Sequence, residues 1–382
     1  MARPHPALID LAAGRPMPSR INDPGHLLVS AVDHRMQGLL WSAVVRGEIE
    51  LPLDIERHLA TLDLRTQAHH RKLWTALEEI TGILGGHGIE VATFKGITAE
   101  ARWHDRTGER PSRDIDLWVD PGPGPNAMQD ALAALSPHHV LDGHIAKLAG
   151  PGTLQSVDVG VAGVDVDLHW DPLKLGANID LQRFWDDSTE VLGFKTGQYR
   201  VLTLDGELVS VLLHATRDRF AMLSTISEAS RLLGRAHLVD RLGVELGLDR
   251  LVRNAALTVG RILEMDHPNG LATVSEADTS WKNRLWHRYW DEPLLGGSNS
   301  LVSKGKREMF LFACADGLMA KGMSRLVKRA FAPPSLLRYH FNNDEFLTVI
   351  WLRRLGLIGP PVSSRMAPQQ VSDASETSRA QR

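Results

Sequence analysis

The chain has 382 residues, of which 43 are Lys or Arg and 46 are Asp or Glu, giving a formal net charge of -3, and 43% are hydrophobic. That length supports two or so ordinary cores, and that charge balance excludes a protein coated in positive charge for a polyanion. A single cysteine, Cys314, excludes an internal disulfide framework and a cysteine-based zinc cluster, and no disulfide-linked partner is expected. No stretch approaches the roughly 20 apolar residues of a membrane helix, and residues 1–25 lack the apolar core of a signal peptide. The expectation is a cytoplasmic protein with no membrane partner.

In chain order, residues 1–25 read as an irregular N-terminal segment punctuated by Pro and Gly. "HLLVSAVDHRMQGLLWSAVVRG" (26–47) and "TQAHHRKLWTALEEITGILGGHG" (66–88) place apolar residues at helical spacing and predict two amphipathic helices. From Ile89 the texture changes to short apolar runs: "IEVATF", "DIDLWV", "SVDVGV" and "VDVDLHW". These predict strands, the last two joined by a hairpin around Ala162 and Gly163, with a further strand pair in "EVLGFKTGQYRVLTL" turning at Thr196 and Gly197. Helical periodicity returns from Asp205, and the polar tail from Pro360 predicts disorder. The expected division is 26–65 as an N-terminal helical segment, 66–204 as the core, 205–358 as a helical C-terminal domain and 359–382 as tail. The fold class is α+β: a small mixed β-sheet core with flanking helices and a mostly helical C-terminal domain.

The chemistry concentrates in "VATFKGITAEARWHDRTGERPSRDIDLWVDP". A strand runs into Lys95-Gly96, a helix starts there, and the chain returns through Arg110 to a second strand. That order presents a helix N-terminus to an anion, with Gly96 allowing close backbone approach and Lys95 and Arg110 adding positive charge. On the second strand, period-two geometry puts Asp114 and Asp116 on one face and Ile115 and Leu117 behind them. Two carboxylates this close resist joint ionisation unless a cation lies between them, and hard oxygen ligands suit Mg²⁺ or Mn²⁺. In "VDVDLHW" the same alternation sets Asp165, Asp167 and His169 on one face. If that strand lies beside the first, Asp167 completes a triad of the kind that two-metal phosphoryl transfer requires.

The runs "GIEVATFKG", "RPSRDIDLWVDP" and "VDVDLHWDP" resemble the uncharacterised nucleotidyltransferase branch of the DNA-polymerase-β-like superfamily, whose members show a Lys-Gly turn, Arg-Pro-x-x-Asp-Ile-Asp-Leu and a later Asp-Leu-His-Trp. With the flanking "DHRMQGLLWSAV", "LPLDIERHL" and "VLTLDGELVSVLLHATRDRF", the resemblance covers roughly residues 26–235. It implies a nucleotidyltransferase that moves NMP from an NTP such as ATP to an acceptor hydroxyl or phosphate and releases pyrophosphate. Asp114, Asp116 and Asp167 would be catalytic and metal-binding, while Lys95, Gly96 and Arg110 would hold the phosphates. Better-known members carry Gly-Gly or Gly-Ser at the helix start; Ile97 stands here, so phosphate binding would lean on backbone N–H groups and the two basic side chains. The acceptor stays open among a small molecule, a peptide and a tRNA, the last as in toxin-type relatives. A catalytically silent nucleotide-binding or scaffold protein is the alternative.

Other residues read more plainly. Asp165 falls outside the motif and is expected in solvent. His169 either orients Asp167 or substrate, or only packs beside Trp170. His214 is expected to be a core histidine. Glu228 stands where relatives carry an acid, beside the plain reading of a solvated helix face. Trp281, Trp286 and Trp290 recur at near-helical spacing and are expected to pack a core rather than stack bases. Lys321, Arg325, Lys328 and Arg329 form a basic stripe, read first as a solvated face and second as an RNA contact.

Overall fold

The computed structural model describes residues 4–18, 20–122, 126–136, 156–173, 179–235 and 239–265. The tryptophans at 281, 286 and 290, the basic stripe at 321–329, Cys314 and the tail lie outside the described residues.

Four helices precede the sheet: α1 (Pro6–Ala12), α2 (Pro24–Asp33), α3 (Gln37–Val45) and α4 (Leu53–Gly86). The segment expected to be irregular therefore contains a helix. Pro6 pre-sets the first turn of α1, the His5 ring accepts the Ala7 N–H, and Leu8 and Leu11 are buried. The periodic stretch at 26–47 forms two helices instead of one, because Arg35 takes a left-handed φ of 55° and the Met36 N–H reaches back 2.7 Å to the Ala31 carbonyl. The helix expected from residue 66 begins at Leu53, just after Pro52, and runs unbroken through the boundary expected at 65/66. At 34 residues it is roughly 50 Å long.

The sheet follows the strand expectations closely: β1 (Val91–Phe94), β2 (Asp114–Val119), β3 (Ser156–Val161), β4 (Val164–His169), β5 (Thr189–Phe194) and β6 (Gly197–Leu202). Helix α5 (Gly96–Trp103) joins β1 to β2, α6 (Ala127–Leu135) follows β2, and α7 (Leu181–Ser188) precedes β5. The order across the sheet is β3-β4-β2-β1-β6-β5, with β4/β2 and β1/β6 parallel and the other pairs antiparallel. Both hairpins are tight. Ala162 and Gly163 take φ of 49° and 76°, the paired left-handed turn that matches strand twist, and β5 meets β6 through Lys195 and Thr196, one residue before the turn expected at Thr196 and Gly197, because Gly197 already pairs with Phe194. After β6 come α8 (Leu204–Arg217), α9 (Leu223–Leu233), α10 (Val239–Glu245) and α11 (Asp249–Ile262). No helix among the described residues is long and apolar enough to cross a membrane.

The strand alternation sorts the sheet into two faces. Ile115, Leu117 and Val119 of β2, with Val164, Val166 and Leu168 of β4, bury against the second half of α4 and against α6. The opposite face belongs to a second cluster, where Ala92, Phe94, Trp118 and Leu202 meet α1 to α3 and α7 to α11. Trp118 is fully buried there, stacked on Phe184 at 5.2 Å and edge-on to Trp185 at 4.9 Å. This is the face that carries Asp114 and Asp116.

Helix α3 touches the β2 approach through one glycine. A Cβ on Gly38 would lie 1.9 Å from the Gly108 carbonyl oxygen and 2.7 Å from that of Glu109, both backbone atoms. Gly38→Ala is therefore expected to destabilise the protein by roughly 1–3 kcal/mol, because overpacking forces the backbone apart. Urea unfolding of the variant beside the wild type checks this, and an unchanged midpoint would show that the loop yields freely.

Candidate functional site

The first arm of the site is the β1–α5 turn. Lys95 is the single residue between strand and helix, at φ 56° and ψ -154°, a region rarely used by residues with a side chain. Gly96 follows at φ 51°, and a Cβ there would sit 3.5 Å from the Asp114 carbonyl oxygen, so the helix begins directly against β2. No side chain caps α5, although Gly96, Ile97 and Thr98 are all buried. The leading N–H groups of this helix face the site without a capping acceptor from a side chain, which favours an anion. Lys95 is 8% exposed, and its ammonium lies 5.1 Å from the centre of the Phe94 ring.

The second arm is acidic. Strands β2 and β4 are parallel neighbours in a register that sets Asp114 opposite Asp165, Asp116 opposite Asp167 and Trp118 opposite His169. The adjacency on which the carboxylate triad depended is thus present. His169, fully buried, places its Nε2 atom 2.8 Å from Asp116 Oδ1 and 3.1 Å from Asp167 Oδ2, with its ring edge-on to Phe94 at 5.0 Å. An N–H at that nitrogen donates to both carboxylates and fixes their orientation. Of the two readings of His169, the orienting one describes its position.

The electrostatics show the strain between these groups. Burial works to raise the pKa of Asp116, but the His169 hydrogen bond and the Lys95 charge overcome it and hold the group down at about 2. Asp114 lies at the rim with its surface exposed, yet protein crowds its carboxyl; that desolvation and the charges of Asp116 and Asp167 push its pKa up. Asp165 is exposed, as expected.

A metal fits part of this arrangement. Asp116, Asp167 and His169 each offer an atom within 4.8 Å of the others; the His169 Nε2 that donates its N–H to both carboxylates is not a metal donor, which leaves the two hard carboxylate oxygens, of the type that suits Mg²⁺ or Mn²⁺. Asp114 is not in that group; it lies two residues up the same face of β2.

Arg110 belongs to a loop held from three sides. Glu100 of α5, 3% exposed, accepts the Gly108 N–H at 2.7 Å and the Arg110 N–H at 3.1 Å with one oxygen, and meets His70 Nδ1 at 2.8 Å with the other. His70 Nε2 accepts the Ser112 N–H, so the hydrogen of the neutral ring is on Nδ1 and points to Glu100. Asp63 of α4 takes both terminal nitrogens of Arg106 at 2.8 and 2.9 Å. The Arg110 guanidinium itself is occupied: Nε and Nη2 donate to Glu228 Oε2 at 2.9 and 2.8 Å, and Nη1 to Ser112 Oγ at 3.1 Å. Glu228 is 4% exposed, so the solvated-face reading of it is replaced by a buried ion pair.

Two titratable residues of α8 also bear on the site. His214, expected in the core, is half-buried at its edge: its side chain is 39% exposed and its Nε2 lies 3.3 Å from Asp218, yet protein crowds the ring, and that desolvation pushes its pKa down to about 3. Glu207, which the sequence reading passed over, is buried and accepts the Lys95 N–H at 2.8 Å. Burial first, and the charge of Glu228 second, push the Glu207 pKa up to about 7. Glu100 and Glu207 lie within stretches quoted above, but neither they nor His70 was singled out there. Their only sequence signal is a charged residue on an otherwise apolar helix face.

A raised carboxyl pKa means that the native state binds a proton the unfolded chain has already released. The stability carried by protonated Glu207 is complete below pH 4.5 and is lost as pH rises toward and through about 7. Glu207→Gln, which keeps the oxygen and drops the charge, is expected to flatten the fall of the unfolding temperature between pH 5 and pH 8. Thermal unfolding across that range checks it; parallel curves for the two proteins would show that Glu207 titrates normally.

The family model described as an uncharacterised nucleotidyltransferase matches residues 22–264, from the start of α2 to the end of α11. No curated protein matches the chain significantly. Among solved structures, the crystal structure of an antigenic nucleotidyltransferase-like protein from Paracoccidioides brasiliensis is similar over 51% of this chain and 93% of that chain, at 11% sequence identity and a TM-score of 0.33. The family match spans well over half of the chain and takes in the Lys-Gly turn, both carboxylate strands and the helices that hold them, so the chain belongs to the uncharacterised nucleotidyltransferase family.

Proposed function

We propose that the protein is a metal-dependent nucleotidyltransferase that transfers NMP from an NTP to an acceptor hydroxyl or phosphate and releases pyrophosphate. The observation that carries this reading is the in-register pair Asp116 and Asp167, bridged by one buried histidine and set beside the uncapped start of α5. Asp116 and Asp167, with Asp114 beside them, would hold Mg²⁺ or Mn²⁺, which when bound neutralises charge on the transferring phosphate and lowers the pKa of the attacking oxygen.

The chain's own groups do the rest. The leading N–H groups of α5 and the Lys95 ammonium bind and orient the triphosphate, in place of the hydroxyl that Ile97 does not supply. Arg110, held by Glu228 and Ser112, contributes a fixed positive charge and does not swing onto the nucleotide. His169 keeps the two carboxylates facing the reacting atoms. Asp167 takes the acceptor proton as the new oxygen–phosphorus bond forms, and the bond from the α-phosphorus to the pyrophosphate oxygen breaks with its electron pair leaving on pyrophosphate. The acceptor is a small molecule, a peptide or a tRNA, and the labelled product of the reaction identifies which.

The test is incubation with each α-³²P-labelled NTP and Mg²⁺ or Mn²⁺, with and without total tRNA and cell extract. Asp116→Asn is expected to lower label transfer by about 10³-fold, equivalent to several kcal/mol of transition-state stabilisation, while circular dichroism shows the fold retained. A folded Asn variant with half or more of the wild-type rate would sink the carboxylate mechanism.

A further inference from the structure

We infer that Glu207 is a positioning residue for nucleotide binding: its carboxyl oxygen holds the Lys95 backbone in the conformation that aims the start of α5 and the Lys95 side chain at the triphosphate. This rests on the proposal that the α5 start binds phosphate, and it assigns to α8, 112 positions further along the chain, a part in that site.

The geometry is specific. Strand β1 ends at Phe94 and α5 begins at Gly96, so the whole change of direction falls on Lys95. Its carbonyl is already committed to the helix, accepting the Ala99 N–H at 3.1 Å and the Thr98 hydroxyl at 3.0 Å. Its N–H is turned toward α8, where Glu207 Oε1 accepts it at 2.8 Å. Both ends of the residue are thereby tied, one to the helix it starts and the other to a helix of another layer. With Lys95 8% and Glu207 1% exposed, water does not replace the bond, and without it a buried N–H would have every reason to rotate toward another acceptor.

Glu207 is a positioning residue in this reading and not a catalytic one, because its Oε1 is engaged by the Lys95 N–H and the side chain is 1% exposed. The charges around it are Lys95 and Arg102 from the core, Glu228 from α9, and Arg110. Its raised pKa agrees with a role that needs an oxygen at the right reach rather than a negative charge, because the carbonyl oxygen of a neutral carboxyl still accepts an N–H. A glutamine has the same reach. An aspartate keeps the charge but is one methylene short.

That contrast provides the experiment. Wild type, Glu207→Gln, Glu207→Asp and Glu207→Ala are compared in calorimetric titration with each of the four NTPs in Mg²⁺ and in steady-state label transfer, with thermal unfolding as the folding control. The expected result is a nucleotide Kd and KM raised by about tenfold in the Asp and Ala variants, restored to within about twofold of wild type by Gln, and kcat within about threefold throughout. If Ala does not fold, the Asp and Gln variants decide. An active Asp variant beside an inactive Gln variant would overturn the inference by showing that charge matters, and nucleotide affinities equal in all four proteins would overturn it by showing that the contact does not serve binding. A wild type that neither binds nor transfers any NTP would instead overturn the functional reading, and the inference with it.

Discussion

The register between two parallel strands sets the terms for everything else in this protein. Because β2 and β4 pair with Asp116 opposite Asp167, two carboxylates are brought together on a partly buried sheet face, where like charges repel strongly and water is a poor screen. The backbone ladder imposes this, so no side-chain rearrangement removes it. The surroundings answer it locally. His169 reaches both carboxylates through one nitrogen, the Lys95 charge draws Asp116 down to about 2, and Asp114 at the rim is pushed toward its protonated form. The proposed metal chemistry rests on this conflict, because a cation between the two carboxylates would relieve it.

Holding that arrangement requires rigidity beyond the sheet, and it comes from acids on helices. Asp63 of α4, Glu100 of α5, Glu207 of α8 and Glu228 of α9 each engage a charged side chain or a backbone N–H of the segments that approach the carboxylates, and His70 of α4 links Glu100 to the Ser112 N–H. Each of these acids is buried and each has a defined partner, so breaking one of the contacts leaves an uncompensated polar group. The cost of burying them is reasonable if their function is orientation, since a phosphate site must present donors in one geometry before the ligand arrives. Arg110 illustrates the difference between presence and availability. Its charge stays at the site, but the guanidinium is already held by Glu228 and Ser112.

Several parts of this were legible from residue spacing. The alternation in "DIDLWV" and "VDVDLHW" located β2 to the residue and β4 to within one, since β4 ends at His169, because one face of each had to bury valine, leucine or isoleucine. Ala162-Gly163 located a hairpin because only two residues, one of them glycine, separate two alternating runs, and in the structure both take left-handed φ. The helices were less legible. The break at Arg35 has no glycine to announce it, and α4 extends to Leu53 across a stretch whose first half packs on one cluster and whose second half packs on the other, which blurs a single hydrophobic period. The short α1 was concealed by prolines that here start a helix instead of preventing one.

By itself, then, the sequence determined the local chemistry: which residues alternate to one side of a strand, where a glycine lets a helix begin, and which side chains carry charge, since each of these depends on neighbours a few positions away. Tertiary structure alone decided which charges meet. Glu228 and Glu207 read as ordinary helix residues until α8 and α9 fold back on the sheet, and His169 could be packing or orienting until its strand docked beside β2. The reason is physical: periodicity reports burial and direction along one element, whereas a hydrogen bond between residues 112 or 118 positions apart depends on how separate elements are packed in space.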